Sequence, residues 1–273
     1  MTILQAILIA IVEGLTEFLP VSSTAHMVFL SGFFHIANDE FVKMFEVSIQ
    51  FGAILAVVVL YWKKFFDFSK LNFYIKLAFA VMPALLLGFF LDDYIESVLE
   101  KPLPIAIVLI LGGMVLLFVD SYFKHPQIHR EEDISIPTAI KIGFWQCLAM
   151  MPGTSRAAAS IIGGMQQKLS RETAAEFSFF LAVPTMLAVT GYSVILKDWK
   201  IQGQELKGYQ MILSDSQHIL LFVLGNVIAF VVAVLAIRFF ITMIKKFGFR
   251  FWGYYRIVIG LLVLGMIWAG LIQ

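Results

Sequence analysis

Apolar runs long enough to cross a bilayer recur six times along this chain, and two shorter ones stop midway. The long runs cover about residues 45–62, 75–91, 104–123, 174–196, 219–244 and 252–272, each close to the roughly 20 residues a helix needs to span hydrocarbon. Pro83 and Pro184 fall inside two of them, where packing against neighbouring helices tolerates a kink. The short runs, about residues 3–12 and 140–151, each run into a proline, Pro20 or Pro152, that ends a helix. A small polar cluster and a second short apolar piece follow each proline. This pattern predicts two helical hairpins that enter the membrane, break at mid-depth and return to their own side.

The order of elements then repeats. The expected fold is an all-α polytopic membrane protein, an inverted repeat of two halves, each with one re-entrant helical hairpin and three transmembrane helices. It forms a single membrane domain over residues 1–273, the first repeat about 1–123 and the second about 138–273. Three spans is an odd number, so the second half starts from the opposite face. Aligning Pro20 with Pro152 lays Ser23 on Ser155 and Thr24 on Arg156. Further along, Glu46 falls on Glu176 and Ser48 on Ser178.

Composition agrees with a membrane chain and removes other classes. Hydrophobic residues make up 60% and charged residues 14%, against about 25% charged in soluble domains, and the mean hydropathy is +0.88. A net charge of +1 without a long basic tract gives no sign of a nucleic-acid partner. The single cysteine, Cys147, rules out an intrachain disulfide. The opening MTILQAILIA has no basic region and is followed by Glu13 and Glu17, so no cleaved signal peptide is expected. One set of loops carries Lys63, Lys64, Lys70, Lys76, Lys124, Arg130, Lys168, Arg171, Lys245, Lys246 and Arg250. The other holds Lys43, Lys101, Lys197, Lys200 and Lys207 beside Asp92, Asp93 and Glu96. The first set is expected in the cytoplasm, which puts both termini on the outer side.

The two broken segments hold the candidate chemistry. Glu13 and Glu17 stand four apart, hence on one helix face, and side-by-side carboxylates in a membrane call for a proton or a cation between them. A divalent metal with oxygen ligands, Mg²⁺ or Ca²⁺, satisfies both. Ser22, Ser23 and Thr24 follow at a helix start, where hydroxyls act as caps or, with His26 one turn beyond Ser23 or a glutamate as base, Ser23 acts as nucleophile; direct attack by an activated water, with Ser23 only positioning, is the rival route. The partner loop reads as an anion site. There Gly153 admits close backbone approach, Thr154 and Ser155 donate, and Arg156 brings a fork suited to phosphate; alternatively Arg156 pairs structurally with Glu13 or Glu17. Together these residues are equipment for phosphoryl transfer at a membrane. His35, His125, His129 and His218 lie in or beside loops and are expected to have no role. Glu46 and Glu176 are read either as neighbours of the site or as internal hydrogen-bonding groups. Arg238 and Arg256, near span ends, are expected to snorkel.

The blocks VEGLTEFLPVSSTAHM, FEVSIQFGAILAVVV, PGTSRAAASIIGGM and EFSFFLAVP closely resemble the undecaprenyl-diphosphate phosphatase family, the BacA-type bacitracin-resistance proteins. The resemblance implies a bacterial inner-membrane hydrolase that converts undecaprenyl diphosphate, a polyprenyl diphosphate lipid, to the monophosphate. That reaction recycles the carrier for cell-wall synthesis and confers bacitracin resistance. It also implies a divalent-metal requirement, an inverted-repeat fold and assembly as a homodimer. Carried over, the family's acidic pair falls on Glu13 and Glu17, its first serine and histidine on Ser23 and His26, and its second serine and arginine on Ser155 and Arg156. Ala25 replaces a glycine of the usual pattern, Ala157 a serine, and Ser160 a threonine, keeping the hydroxyl as a substrate contact. A different reading, an anion or polyprenyl-phosphate transporter working from the midplane site of an inverted repeat, stays open here. It does not require the hydroxyl–imidazole–carboxylate set.

Overall fold

The computed structural model of the chain describes residues 1–99, 101–201 and 203–272. The side chains of residues 92–99 and 204 are outside this description, so Asp92, Asp93 and Glu96, counted above among the outer acids, lie outside it. The chain opens with a pair of short helices, α1 (Ile3–Thr16) and α2 (Ser23–Phe33), and continues through α3 (Glu40–Ser48), α4 (Gln50–Leu60) and α5 (Trp62–Phe65). Two long helices follow, α6 (Leu71–Leu99) and α7 (Pro102–Tyr122). A second short pair, α8 (Ile136–Gln146) and α9 (Arg156–Gln166), leads to α10 (Arg171–Gly191). A two-stranded hairpin, β1 (Asp198–Ile201) with β2 (Gln204–Lys207), then precedes α11 (Gly208–Leu213), α12 (Ser216–Phe247) and α13 (Arg250–Trp268).

Six segments are long and apolar enough to cross a membrane: Glu40–Leu60, Leu71–Leu91, Pro102–Tyr122, Arg171–Leu196, Ser216–Phe247 and Arg250–Trp268. They match the six long apolar runs, and the chain is a multi-pass membrane protein. The most buried is Glu40–Leu60, 61% of its apolar window enclosed, against 28% for the windows of α6, α12 and α13. The broken α3–α4 segment is therefore central, and the peripheral helices turn large apolar side chains such as Phe89, Phe90, Phe118 and Trp268 outward. In water such a surface is unfavourable; against lipid it costs nothing. Within the helical layer α7 lies along α13, α1 along α12, α8 along α6, and α4 against both α10 and α12.

The polar stretches are tied down by specific contacts. In residues 124–137, the amides of Gln127 and Ile128 donate to the Lys168 carbonyl, and Ser170 donates back to Ile128. Buried Lys76 donates to the carbonyls of Glu131 and Glu132 at 3.0 Å each and reaches the Glu131 carboxylate at 3.4 Å. The stretch read as a loop after residue 197 folds instead into the β1–β2 hairpin and α11. Lys207 pairs with Asp198 at 2.7 Å, and Trp199 is buried with its indole N–H on the Ser193 carbonyl at 2.9 Å. Alternation of charged and apolar residues over only four positions is too short to read from sequence with assurance.

Candidate active site

The two short-helix pairs meet, and their connecting loops share one construction. In the first, α1 keeps helical backbone through Glu17, whose amide donates to the Glu13 carbonyl. The chain then turns through Pro20 and starts α2 from Ser22. In the second, α8 passes through a 3-10 turn and Pro152, and α9 starts from Ser155. Both capping serines sit at positive φ, 70° for Ser22 and 74° for Ser155, and each accepts from the amide three residues on, Ala25 and Ala158. An L residue rarely adopts this backbone, so matched occurrences identify equivalent positions. The register read from the prolines is therefore one residue off. Ser22, not Ser23, corresponds to Ser155, and Ser23 stands opposite Arg156, because the second loop carries one residue more between proline and cap.

Ser23 is buried, and its hydroxyl donates to Glu17 Oε2 at 2.5 Å. The other oxygen of that carboxylate accepts from Arg156 Nη2 at 2.9 Å. One carboxylate thus joins a hydroxyl of the first loop to a guanidinium of the second, and the structural pairing of Arg156 with Glu17 is present. Arg156 is positioned from behind as well. Its Nη1 donates to the Ser178 carbonyl at 2.8 Å and to the Ser178 hydroxyl at 3.3 Å, its plane lies over the Phe18 ring at 5.7 Å, and its buried Nε has no partner. Ser160 bonds the Ser178 hydroxyl at 2.7 Å and the Arg156 carbonyl at 2.8 Å. It stands behind the arginine, not beside a ligand path.

His26 is engaged elsewhere than expected. Its Nδ1 lies 2.8 Å from the Ser22 carbonyl and its Nε2 2.9 Å from the Tyr255 hydroxyl. A carbonyl only accepts, so Nδ1 carries the proton and, in the neutral ring, Nε2 accepts from tyrosine. The nearest base to Ser23 is Glu17, and His26 ties α2 to α13. Thr24 and Thr154 are part-exposed at the two loops. Ser155, besides capping α9, reaches the Leu19 carbonyl at 3.4 Å and so touches the first loop. Gly153 has φ +92°, and a Cβ there would fall 2.6 Å from the Ile105 carbonyl oxygen. Ala25 and Ala157 are wholly buried in apolar clusters.

Glu13 lies one turn before Glu17, wholly buried; among the described residues no donor reaches either carboxylate oxygen, and the Glu17 carboxylate lies beside it. Glu46, whose carboxylate accepts from Ser31, is among the charges nearest to it. A carboxylate so placed is expensive unless a cation or proton meets it, so the donor set fits a divalent cation. Among the described residues no group of three or more His, Cys, Asp or Glu is arranged to hold a metal. The remaining ligands would have to be water and substrate oxygens, which is how Mg²⁺ is commonly held. Glu176 lies apart, surrounded by Lys64, Lys245, Glu172 and Glu132.

Three contributors escaped the sequence reading. Ser178 orients Arg156, and Tyr255 holds His26. The third, Arg256, does not snorkel but is wholly buried. Its guanidinium donates to the carbonyls of Pro20 (3.2 Å), Gly153 (2.7 Å), Thr154 (2.9 Å) and Leu109 (3.1 Å). Gly112 leaves room for it, since a Cβ there would lie 2.3 Å from Nη2. A single side chain therefore fastens both loops to α7. The tandem YR on α13 is the one signal for these two residues, and it is weak without the fold.

A profile of the family described as bacitracin resistance protein BacA matches residues 6–262. The chain is 51% identical over 265 residues to the "Undecaprenyl-diphosphatase" of Flavobacterium johnsoniae, covering 97% of this chain and 96% of that protein. Identity to the "Undecaprenyl-diphosphatase" of Porphyromonas gingivalis is 46% over 287 residues, 99% and 98% of the two chains. For the protein of that name in Bdellovibrio bacteriovorus it is 43% over 272 residues, 99% and 98%.

Proposed function

This chain belongs to the bacitracin resistance protein BacA family, and from that membership we propose that it hydrolyses undecaprenyl diphosphate to undecaprenyl phosphate and phosphate. The reaction returns a lipid carrier to cell-wall synthesis and confers bacitracin resistance by removing the diphosphate. The observation that carries the chemistry is the continuous link Ser23–Glu17–Arg156, with 2.5 Å and 2.9 Å between the bonded atoms.

In this reading Ser23 Oγ attacks the terminal phosphorus as its proton passes to Glu17. The bond from that phosphorus to the bridging oxygen breaks, and undecaprenyl phosphate leaves. Water then attacks the phosphoserine, the bond from phosphorus to Ser23 Oγ breaks, Glu17 returns its proton to that oxygen, and phosphate is released. Arg156 meets the terminal phosphate through Nε and the Nη2 that Glu17 gives up as it gains a proton. Ser22 and Ser155 hold the helix starts, so that backbone amides of α2 and α9 face the anion, with Thr24, Gly153 and Thr154 around it. His26 keeps α2 in place. A divalent cation, Mg²⁺ or Ca²⁺, would be held by Glu13 and Glu17 and, when bound, supplies neutralisation of the diphosphate charge.

The matched packing of α1 on α12 and α8 on α6, with α7 on α13, supports an inverted repeat whose two short-helix pairs are re-entrant. The same reading locates the chain in the bacterial inner membrane with both termini outside, as a homodimer. The test is phosphate release from undecaprenyl diphosphate by purified protein, with and without Mg²⁺ or Ca²⁺, for the parent, Ser23→Ala and Arg156→Ala. Metal-dependent release lost in both variants is expected. Activity of Ser23→Ala within about tenfold of the parent excludes the covalent route in favour of direct attack by water.

A further inference from the structure

Away from the catalytic loops, the end of α4 and the last third of α12 enclose an open groove of about 450 Å³ lined by Leu60, Tyr61, Ile237, Arg238, Ile241 and Thr242. Arg238 is exposed in this groove, and its side chain makes no hydrogen bond or ion pair among the described residues. Three aliphatic side chains flank it. The Thr242 hydroxyl is occupied by the Arg238 carbonyl at 3.0 Å. Tyr61, part-buried against Phe180, lines the same space, and its hydroxyl makes no hydrogen bond among the described residues.

The groove lies at the level of a membrane surface. Exposed Trp62 and the pair Lys63 and Lys64 follow Tyr61 directly, and Lys245 and Lys246 close α12. Aromatic rings followed by lysines mark the edge of the hydrocarbon. The 32 residues of α12 extend about 48 Å, against about 30 Å of hydrocarbon, so Arg238 falls near the boundary and not at mid-depth. The neighbouring acid, Glu176, acts on Tyr61 and is itself in the field of Lys245 and of Lys64, which also pairs with Glu131 and Glu132; exposed Arg238 has no ion-pair partner among the described residues and stands beside an apolar wall.

We propose that this groove binds the headgroup of an anionic glycerophospholipid from the surrounding leaflet. Arg238 clamps its phosphate through the guanidinium fork, Tyr61 donates a hydrogen bond, and an acyl chain lies along Leu60, Ile237 and Ile241. One guanidinium matches a singly charged phosphodiester. Among the described residues no carboxylate lines the groove to hold a cation, whereas the catalytic loops add Glu13 and Glu17 to the single guanidinium of Arg156, and this distinguishes the two sites.

The experiment is native mass spectrometry of the purified full-length protein titrated with dioleoyl phosphatidylglycerol or dioleoyl phosphatidylcholine, comparing the parent with Arg238→Gln, Tyr61→Phe and Arg250→Gln. Arg250, exposed and bonded to Ser121, removes the same charge at another place. Melting temperature serves as the check on folding. The parent is expected to retain phosphatidylglycerol about fivefold better than phosphatidylcholine. That preference disappears in Arg238→Gln, weakens in Tyr61→Phe and persists in Arg250→Gln. Equal retention of both lipids by the parent, or an unchanged preference in Arg238→Gln, would overturn the proposal. A loss of dimer in Arg238→Gln without change in lipid retention would overturn it too, and would assign the groove to a second copy of the chain.

Discussion

Replacing Arg256 by methionine keeps most of the side-chain volume and removes every donor. Four carbonyls lose a charge-assisted hydrogen bond, those of Pro20, Gly153, Thr154 and Leu109. Leu109 lies inside α7, where its carbonyl has a helical partner. The other three belong to the loops; those of Pro20 and Gly153 are left buried and that of Thr154 part-buried, at about 1 kcal/mol or more each. Part of this is returned because an isolated guanidinium no longer has to be kept out of water. The net loss is therefore on the order of 3 kcal/mol, which lowers a melting midpoint by roughly 10 °C for a chain of this size. Function suffers more than stability. Arg256 is the shared fastening of the loops that carry Ser23 and Arg156, and displacement of reacting groups by about 1 Å costs roughly a hundredfold in rate. The assay is phosphate release with kcat and KM separated, alongside thermal melting in the same detergent. The expected result is a fall in kcat of about a hundredfold with a smaller change in KM. Arg256→Lys should recover only part of it, since one ammonium cannot serve four carbonyls on three segments. A methionine variant melting within about 2 °C of the parent, with kcat within about threefold, would refute the reasoning.

Glu13→Gln replaces a buried carboxyl that no donor reaches and that lies beside the Glu17 carboxylate, so its melting temperature should equal or exceed the parent's while added Mg²⁺ or Ca²⁺ no longer supports turnover; full cation-dependent activity would rule out Glu13 as a ligand. Gly153→Ala forces a Cβ to 2.6 Å from the Ile105 carbonyl at φ +92°, and a loss of about 2–3 kcal/mol is expected by denaturation, with unchanged stability as the contrary result. Tyr255→Phe removes the donor to His26 Nε2 but leaves the bond between Nδ1 and the Ser22 carbonyl. Activity should stay within about tenfold of the parent, and a loss beyond a hundredfold would mean that the hydroxyl takes part in the chemistry.

Much of the architecture could be read along the chain because it depends on local properties. The length of an apolar run decides whether a helix spans, and Pro20 and Pro152 break helices wherever the rest of the chain lies. The four-residue spacing of Glu13 and Glu17 likewise sets them on one face without help from tertiary contacts. The polar clusters after the prolines marked both loops, and the motif blocks within them identified the family. What the fold alone decided were the partners. Ser23 meets Glu17 and not His26 because the turn through Pro20 brings the start of α2 back over the end of α1, while the imidazole turns toward Tyr255, 229 residues away in sequence. The equivalence of Ser22 with Ser155 rests on a backbone angle that no alignment of residue types records. The position near a span end that made Arg256 a snorkelling residue says nothing of Gly112, whose missing side chain opens the space the guanidinium fills, nor of the loop carbonyls of Pro20, Gly153 and Thr154 that converge on it. Those carbonyls come from chain segments more than a hundred residues distant, and a hydrogen bond across such a separation exists only once the helices have packed.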